Sequence, residues 1–392
     1  PNPPFITSSL QQDAFRKLSF SSSRTMLVAQ RLYEGVDIPE EGAVGLITYM
    51  RTDSFNISED AKTAVKQYIG DRFGAEYCAG KEYVFKKKGI VQAAHEAIRP
   101  TDVRREPDAM AKLLASDEQS LYGLIWKRFV SSFMAEAQVE RTRLVFTVDG
   151  YEASANGSRV VFEGYLKVYP DKVSEELLPL VNEGEELRPV EITVTEKTTQ
   201  PPARFNDASL VKLLEENGIG RPSTYAPTIS TLIKRDYVNR EGGSFRPTEL
   251  GFVVTELLET YFRLVMDEGF TAHMEESLDH VENSGLDWRK VIDDFFPQFR
   301  EQLHEAESKA EKEYVSAGRV CDKCGREMII RYSRRGRFIS CSGYPECTNA
   351  YPLTTDVACP ECKEGKLVER RNRKGQKFYG CSKFPNCRYT SS

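Results

Sequence analysis

Eight of the nine cysteines fall in the last 72 residues, in two quartets of nearly the same spacing. Cys321-x2-Cys324-x16-Cys341-x5-Cys347 is followed by Cys359-x2-Cys362-x18-Cys381-x5-Cys387. The echo extends past the sulfurs, since GRFISCSGYPEC from Gly336 parallels QKFYGCSKFPNC from Gln376. A Cys-x2-Cys turn presents two thiolates on one knuckle, and a second pair closes a tetrahedron around zinc. Four sulfurs leave no open coordination position, so the metals are expected to be structural. Two disulfides per unit are the alternative, but they would need an oxidising compartment and would not explain the duplicated knuckles. Segments this short bury little core, so metal binding should supply their folding energy. Cys78 stands alone and is expected to be an ordinary thiol.

The tail also sets the charge balance. Cys321 to Ser392 holds fifteen Lys and Arg against seven Asp and Glu, a formal +8, which leaves −13 for the preceding 320 residues. A basic tail on an acidic body suits a polyanionic partner, although a merely solvated tail has the same composition. Cations and rings interleave there: Arg334, Arg335 and Arg337 with Tyr332, Phe338 and Tyr344, then Arg371, Arg373 and Lys374 with Phe378, Tyr379 and Phe384. That is the make-up of a single-strand nucleic-acid surface, where rings stack on bases and cations follow phosphates. Some of these rings must instead be core. No run of eighteen apolar residues exists, so no membrane span is expected.

Upstream, the hydrophobic period divides the chain. Leu10, Ala14 and Leu18, then Met26, Ala29 and Leu32, recur at helical spacing on either side of the serine-rich stretch from Ser19. Val44, Leu46, Ile47, Thr48 and Tyr49 favour a short strand. Ser58 is placed to cap a helix running to Gly70. From 136 to 205 the period becomes two: Val139 to Val148 alternates, Asp149-Gly150 and Asn156-Gly157 read as hairpin turns, and Val160–Tyr169 and Val190–Thr198 read as strands. Helices return at Ala208–Glu216 and from Pro222-Ser223 to Arg235, followed by a hairpin around Gly242-Gly243. That order is the order of a winged helix-turn-helix. A charged helical segment, 301–314, leads into the tail.

Gly45 to Ser54 reads GLITYMRTDS, His95 to Thr101 HEAIRPT, Gly218 to Ala226 GIGRPSTYA, and Phe270 to Glu275 FTAHME. On composition alone Tyr49 would be a core tyrosine and the Gly218 run a turn between helices. Together, in this order, the four motifs closely resemble those of the bacterial DNA topoisomerase I family, a type IA family, and the duplicated ribbons are typical of it as well. The resemblance spans nearly the whole chain. It implies an α+β multidomain fold with a toroidal core: a helical tyrosine domain over 9–133, a β-rich arch and hinge over 136–205, and a winged-helix-containing base over 209–311. Zinc ribbons over 319–352 and 357–392 follow. The decatenating type IA relatives are the nearer alternative within the enzyme class, and the Met50-Arg51-Thr52 context and two four-cysteine ribbons favour topoisomerase I.

Carried over residue by residue, the resemblance implies that Tyr49 attacks a DNA phosphate, leaving a 5′-phosphotyrosyl link and a free 3′ hydroxyl. Resealing would then need no ATP, because the covalent link conserves the phosphodiester energy. A free phenol ionises near pH 10, so the attack needs cationic help. Arg51 would share a strand face with Tyr49, and His95 matches the family's active-site histidine. Arg99 is a further DNA-binding candidate, and Arg221, Ser223 and Thr224 match positions that hold the strand by its phosphates at a helix start. The implied partners are single-stranded and negatively supercoiled DNA, and the implied state is a monomer in the cytoplasm, associated with the nucleoid. Mg2+ is implied through an N-terminal acidic domain that nothing here resembles. That domain's absence, with the missing initiator Met at Pro1, makes a fragment of a longer chain the expectation, and a non-catalytic single-stranded DNA binder the rival function. Phe55 departs from the family pattern, which commonly has a smaller polar residue there.

Overall fold

The computed structural model describes residues 1–81, 83–85, 95–171, 175–310, 315–333, 336–371 and 377–391. Arg334, Arg335, Arg373, Lys374, Gln376 and the end of the 301–314 segment lie outside the described residues. Fold class is as expected, mixed α and β in several parts. In chain order the elements are α1 (Thr7–Leu18), α2 (Ser22–Glu34), β1 (Val36–Ile38), β2 (Gly42–Val44), α3 (Glu59–Phe73), α4 (Pro107–Met110) and α5 (Ser116–Ser131). Next come β3 (Gln138–Val148), β4 (Tyr151–Phe162), α6 (Asp207–Glu216), α7 (Tyr225–Lys234), β5 (Val238–Glu241) and β6 (Ser244–Pro247). Then follow α8 (Glu249–Tyr261), α9 (Arg263–Met266), α10 (Glu268–Ser284) and α11 (Trp288–Lys309). The tail holds β7 (Val315–Val320), β8 (Glu327–Ser333), β9 (Gly336–Cys341), β10 (Ala350–Pro352), β11 (Thr354–Ala358), β12 (Lys366–Arg371), β13 (Lys377–Cys381) and β14 (Thr390–Ser391). None of the described helices is long and apolar enough to cross a membrane.

The chain divides into two compact units. One comprises Pro1–Ser230, Gly242–Phe245 and Thr271–Leu286; the other comprises Thr231–Glu241, Arg246–Phe270 and Asp287–Ser392. In the first, the core forms where the helical stripes meet. Leu10 and Ala14 of α1, Val28, Ala29 and Leu32 of α2, and Leu121, Ile125 and Phe129 of α5 are all buried together. Each of the larger side chains contributes about 1.5–3 kcal/mol by leaving water. The serine stretch breaks the helices as its composition requires: Ser19 takes φ 56 at the end of α1, and the Ser21 side chain accepts from the Arg24 N–H to start α2. Ser58 does precede α3, but without a side-chain cap bond; Glu96 instead accepts from its N–H at 2.9 Å.

The β-rich expectation holds only in part. β3 and β4 pair antiparallel across Asp149 and Gly150, both at positive φ, as a tight hairpin turn demands. Asn156-Gly157 is not a turn; it lies inside β4, opposite Arg143 and Thr142, because the long partner strand satisfies its backbone there. Of the strand expected over Val160–Tyr169 only the start forms, as the end of β4 at Phe162, and a 3-10 turn over Gly164–Lys167 follows. Val190–Thr198 forms no strand: its side chains are exposed and no neighbouring strand pairs with it among the described residues.

α6 begins with a capping box, in which Asn206 accepts from the Ser209 N–H, and it packs along α1 in the first unit. Asp207 of α6 accepts from the buried N–H of Ser22 at 2.8 Å. β5 and β6 form the expected hairpin after α7. In the second unit each cysteine quartet sits beside its own four-stranded sheet, ordered β10-β9-β8-β7 and β11-β12-β13-β14. Arg337 of the first ribbon donates to Glu369 of the second at 3.1 Å.

Candidate active site

The segment carrying Tyr49 is not a strand. β2 stops at Val44, and beyond it the only ladder contact among the described residues is the single bridge Ile47↔Pro100. Non-local bonds hold the segment instead. On one side, Thr48 N donates to the Arg99 carbonyl at 2.9 Å and Thr101 N to the Leu46 carbonyl at 3.0 Å. The Thr48 hydroxyl donates to the Ala97 carbonyl at 2.6 Å and accepts from the Arg99 N–H at 3.0 Å. On the other side, the Thr7 hydroxyl lies 2.8 Å from the Met50 carbonyl and 3.0 Å from that of Thr52, and accepts from the Thr52 N–H at 2.9 Å. Gly45 allows the close approach to α2, since a Cβ there would meet the Tyr33 carbonyl at 2.7 Å.

Alternation survives without the strand. Leu46, Ile47, Met50 and Thr52 are buried, whereas Tyr49 and Arg51 on either side of Met50 face outward. The Tyr49 ring is 37% exposed and sits between two rings, Tyr33 and His95, each with its centroid 5.4 Å away. Nδ1 of His95 is buried and has no hydrogen-bond partner among the described residues.

Tyr49, Arg51, Asp53 and His95 line a cavity of about 340 Å3 within the first unit, shared with Arg221, Pro222 and Ser223. Its remaining wall is α10, through Glu275, Leu278, Asp279, Glu282 and Asn283. The Gly218–Thr224 turn that brings Arg221 here needs φ 70 at Gly218 and φ 79 at Gly220. Thr224 is spent on that turn: its hydroxyl accepts from the Arg221 N–H at 2.8 Å and lies 3.1 Å from the Arg221 carbonyl. Arg221 donates to Asp279, to the Gly220 carbonyl at 2.9 Å, and lies 3.8 Å from Glu275.

The structure thus gathers Tyr49, Arg51, His95, Arg221 and Ser223 in one cavity. Thr224 supports it from behind. Arg99 is elsewhere: it pairs with Glu96 at 2.6 Å and lines a different cavity beside α3, of about 820 Å3. The acidic wall went unread in the sequence. Its carboxylates at 275, 279 and 282 have helical spacing, which an ordinary solvated helix face shares.

In the tail, Cys321, Cys324, Cys341 and Cys347 converge, as do Cys359, Cys362, Cys381 and Cys387, with all four sulfurs of each set within 4.8 Å of one another. Within the quartets, S···S separations of 3.3–3.7 Å exceed a disulfide bond and suit ligands about 2.3 Å from a common centre. The residues fit zinc, which would tie each knuckle to its sheet. The side-chain amide of Asn349 donates to Cys321 Sγ at 3.3 Å, bracing the first set from outside. The rings sort themselves: Tyr344, Tyr379 and Phe384 are exposed. Arg331 lies over Tyr344 at 5.2 Å and Arg370 over Phe384 at 5.5 Å, and the two arginines hold matching register positions, opposite Phe338 and Phe378.

A DNA topoisomerase family profile matches residues 1–293, and a topoisomerase DNA-binding C4 zinc-finger profile matches 318–355 and 356–392. The fold is also similar to full-length topoisomerase I from Thermotoga maritima, with TM-score 0.72 and 37% identity over 96% of this chain. The match spans 59% of that protein's chain. With the four motifs, the cavity they build and both ribbons accounted for, this chain belongs to the bacterial DNA topoisomerase I family of type IA topoisomerases.

Proposed function

We propose that the chain carries the strand-cleaving part of a type IA DNA topoisomerase, with Tyr49 as nucleophile. The observation that carries this is the shared cavity, in which an accessible phenol meets Arg51, His95 and Arg221. In the proposed step, the Tyr49 hydroxyl gives up its proton as Oη attacks a backbone phosphorus, and the bond to the 3′ oxygen breaks. The phosphorus stays on the tyrosine as a 5′-phosphotyrosyl ester, and the leaving 3′ oxygen takes up a proton. Arg51 and Arg221 offset the growing phosphate charge, and His95 beside the ring contacts the phosphate. Resealing reverses the step without ATP. Strand passage through the break, with the 136–205 segment as hinge between the 9–133 and 209–311 domains, would relax negatively supercoiled DNA. The protein would act as a monomer on single-stranded DNA in the cytoplasm, with both ribbons as accessory DNA contacts.

Magnesium belongs to this proposal only as a requirement of the complete reaction. Among the described residues, the groups that converge closely enough to chelate an ion are the two cysteine quartets, whose soft sulfurs suit zinc rather than magnesium. No step here runs through it. The test is covalent capture of a labelled single strand, read on a denaturing gel. Tyr49→Phe should abolish the adduct and leave strand binding nearly intact, because only the hydroxyl is removed. An adduct that persists in Tyr49→Phe rules the residue out.

A further inference from the structure

A second groove in the same unit opens where the tyrosine segment ends. Beyond Ser54 the chain runs without regular structure to Ser58, and Phe55, Asn56 and Ile57 line a cavity of about 380 Å3. Phe55 lies six positions after Tyr49, so the two cavities share one stretch of backbone at most about 20 Å long. Their charge differs in kind. The tyrosine cavity carries four carboxylates, Asp53, Glu275, Asp279 and Glu282. Among the described residues the groove has none in its lining, and instead has Lys62, Lys66 and Lys81.

Between the lysines lie rings. Tyr83 and Phe85 stack with centroids 6.0 Å apart, and Phe55 tilts against Phe85 at 6.4 Å. Lys81 lies 5.6 Å from the centre of the Tyr83 ring. Two lysines have ion-pair partners on the surface, Lys62 with Glu59 and Lys81 with Glu136, each at 2.8 Å. Those glutamates are 84% and 59% exposed, and such pairs hold weakly enough for a phosphate to compete. Lys66 is exposed and makes no ion pair among the described residues.

We infer that this groove is a second subsite for single-stranded nucleic acid, adjoining the tyrosine cavity. It rests on the reading of that cavity as the cleavage site. The lysines would hold backbone phosphates while bases stack on Phe55 and Phe85, the pairing of cations and rings by which strands are gripped without sequence preference. No proton or bond changes hands, so the groove acts on affinity alone.

The test compares oligothymidylates of two lengths by fluorescence anisotropy, a short one that fills the tyrosine cavity and a longer one that reaches the groove. Lys66→Glu and Phe85→Ala should each weaken the longer strand by about tenfold, at the low end of what one lost stacking or phosphate contact costs, and leave the short strand unchanged. Because Lys66 is exposed and makes no ion pair among the described residues, Lys66→Glu decides the matter if Phe85→Ala folds poorly. Equal losses on both strands, or no loss on either, overturn the inference. Arg221→Ala is measured alongside. If it spares the short strand, the reading of the tyrosine cavity fails, and the length-dependent effect of Lys66→Glu still decides the groove on its own.

Discussion

Asp279 grips Arg221 along one edge of its guanidinium, with Oδ2 2.6 Å from Nη2 and Oδ1 3.4 Å from Nε. The pair stands in the wall of the cavity that Tyr49 lines, 23% and 30% exposed respectively. One carboxylate therefore does two opposed things to an incoming phosphate. It aims the arginine, and it repels the anion the arginine would bind.

Asp279→Asn should separate those effects. Loss of the charge removes a repulsion of roughly 1 kcal/mol in this partly exposed setting, so single-strand affinity should rise about fivefold. Loss of the two-point grip lets the guanidinium wander, so covalent capture at saturating DNA should fall. Anisotropy reads the first and a denaturing gel the second. Both quantities moving in the same direction would show that Asp279 has only one of the two roles. Arg221→Ala should lower both.

The ribbons predict their own dependence on metal. Close to two zinc ions per chain should be found by elemental analysis, held by the eight clustered thiolates. Removing them should unfold the tail, since binding supplies on the order of 10 kcal/mol to a structural site of this kind. Eight thiolates with two divalent ions turn the formal +8 of the tail into +4, still positive. DNA affinity of the metal-loaded chain should therefore fall as salt rises. Zinc-free protein that keeps the near-ultraviolet signal of the tail's aromatics would contradict the assignment.

What could be read in advance follows from where the determining contacts lie. Cysteine knuckles, the Asp149-Gly150 turn and the apolar stripes of α1 and α2 are local patterns, legible in the sequence. The stretch from Gly45 to Ser54 has strand composition, yet its backbone partners are Thr7, Ala97 and Arg99, far away in sequence, and they impose a bridged loop. Val190–Thr198 has the right residues for a strand and no surface to lie on. The site is half local in the same sense. Tyr49 and Arg51 sit on one short run, but Glu275 and Asp279 reach them from α10, more than two hundred residues on. Thr7 was invisible altogether, since a threonine in the first turn of a helix carries no sign of what it will touch.

Thr7 supplies the last prediction. Its hydroxyl sits within 2.8–3.0 Å of the Met50 and Thr52 carbonyls and the Thr52 N–H, and Thr7 N donates to the Thr52 carbonyl at 2.9 Å. All of this is buried, and none of it lines the tyrosine cavity. Thr7→Val keeps the shape and removes the hydroxyl, leaving buried backbone groups of Met50 and Thr52 short of a partner at a cost of about 1–3 kcal/mol. Met50 stands between Tyr49 and Arg51, so slack in its backbone spreads to both side chains. A phenol misplaced by even about 1 Å can lose about a hundredfold in rate. Thr7→Val should therefore melt a few degrees lower and capture DNA far more slowly, while single-strand affinity, which needs no precise placement of the phenol, barely changes. Thr7→Ser restores the oxygen and should recover most of the rate. If Thr7→Val loses stability but captures DNA at the normal rate, Tyr49 is positioned from the Thr48–Arg99 side alone.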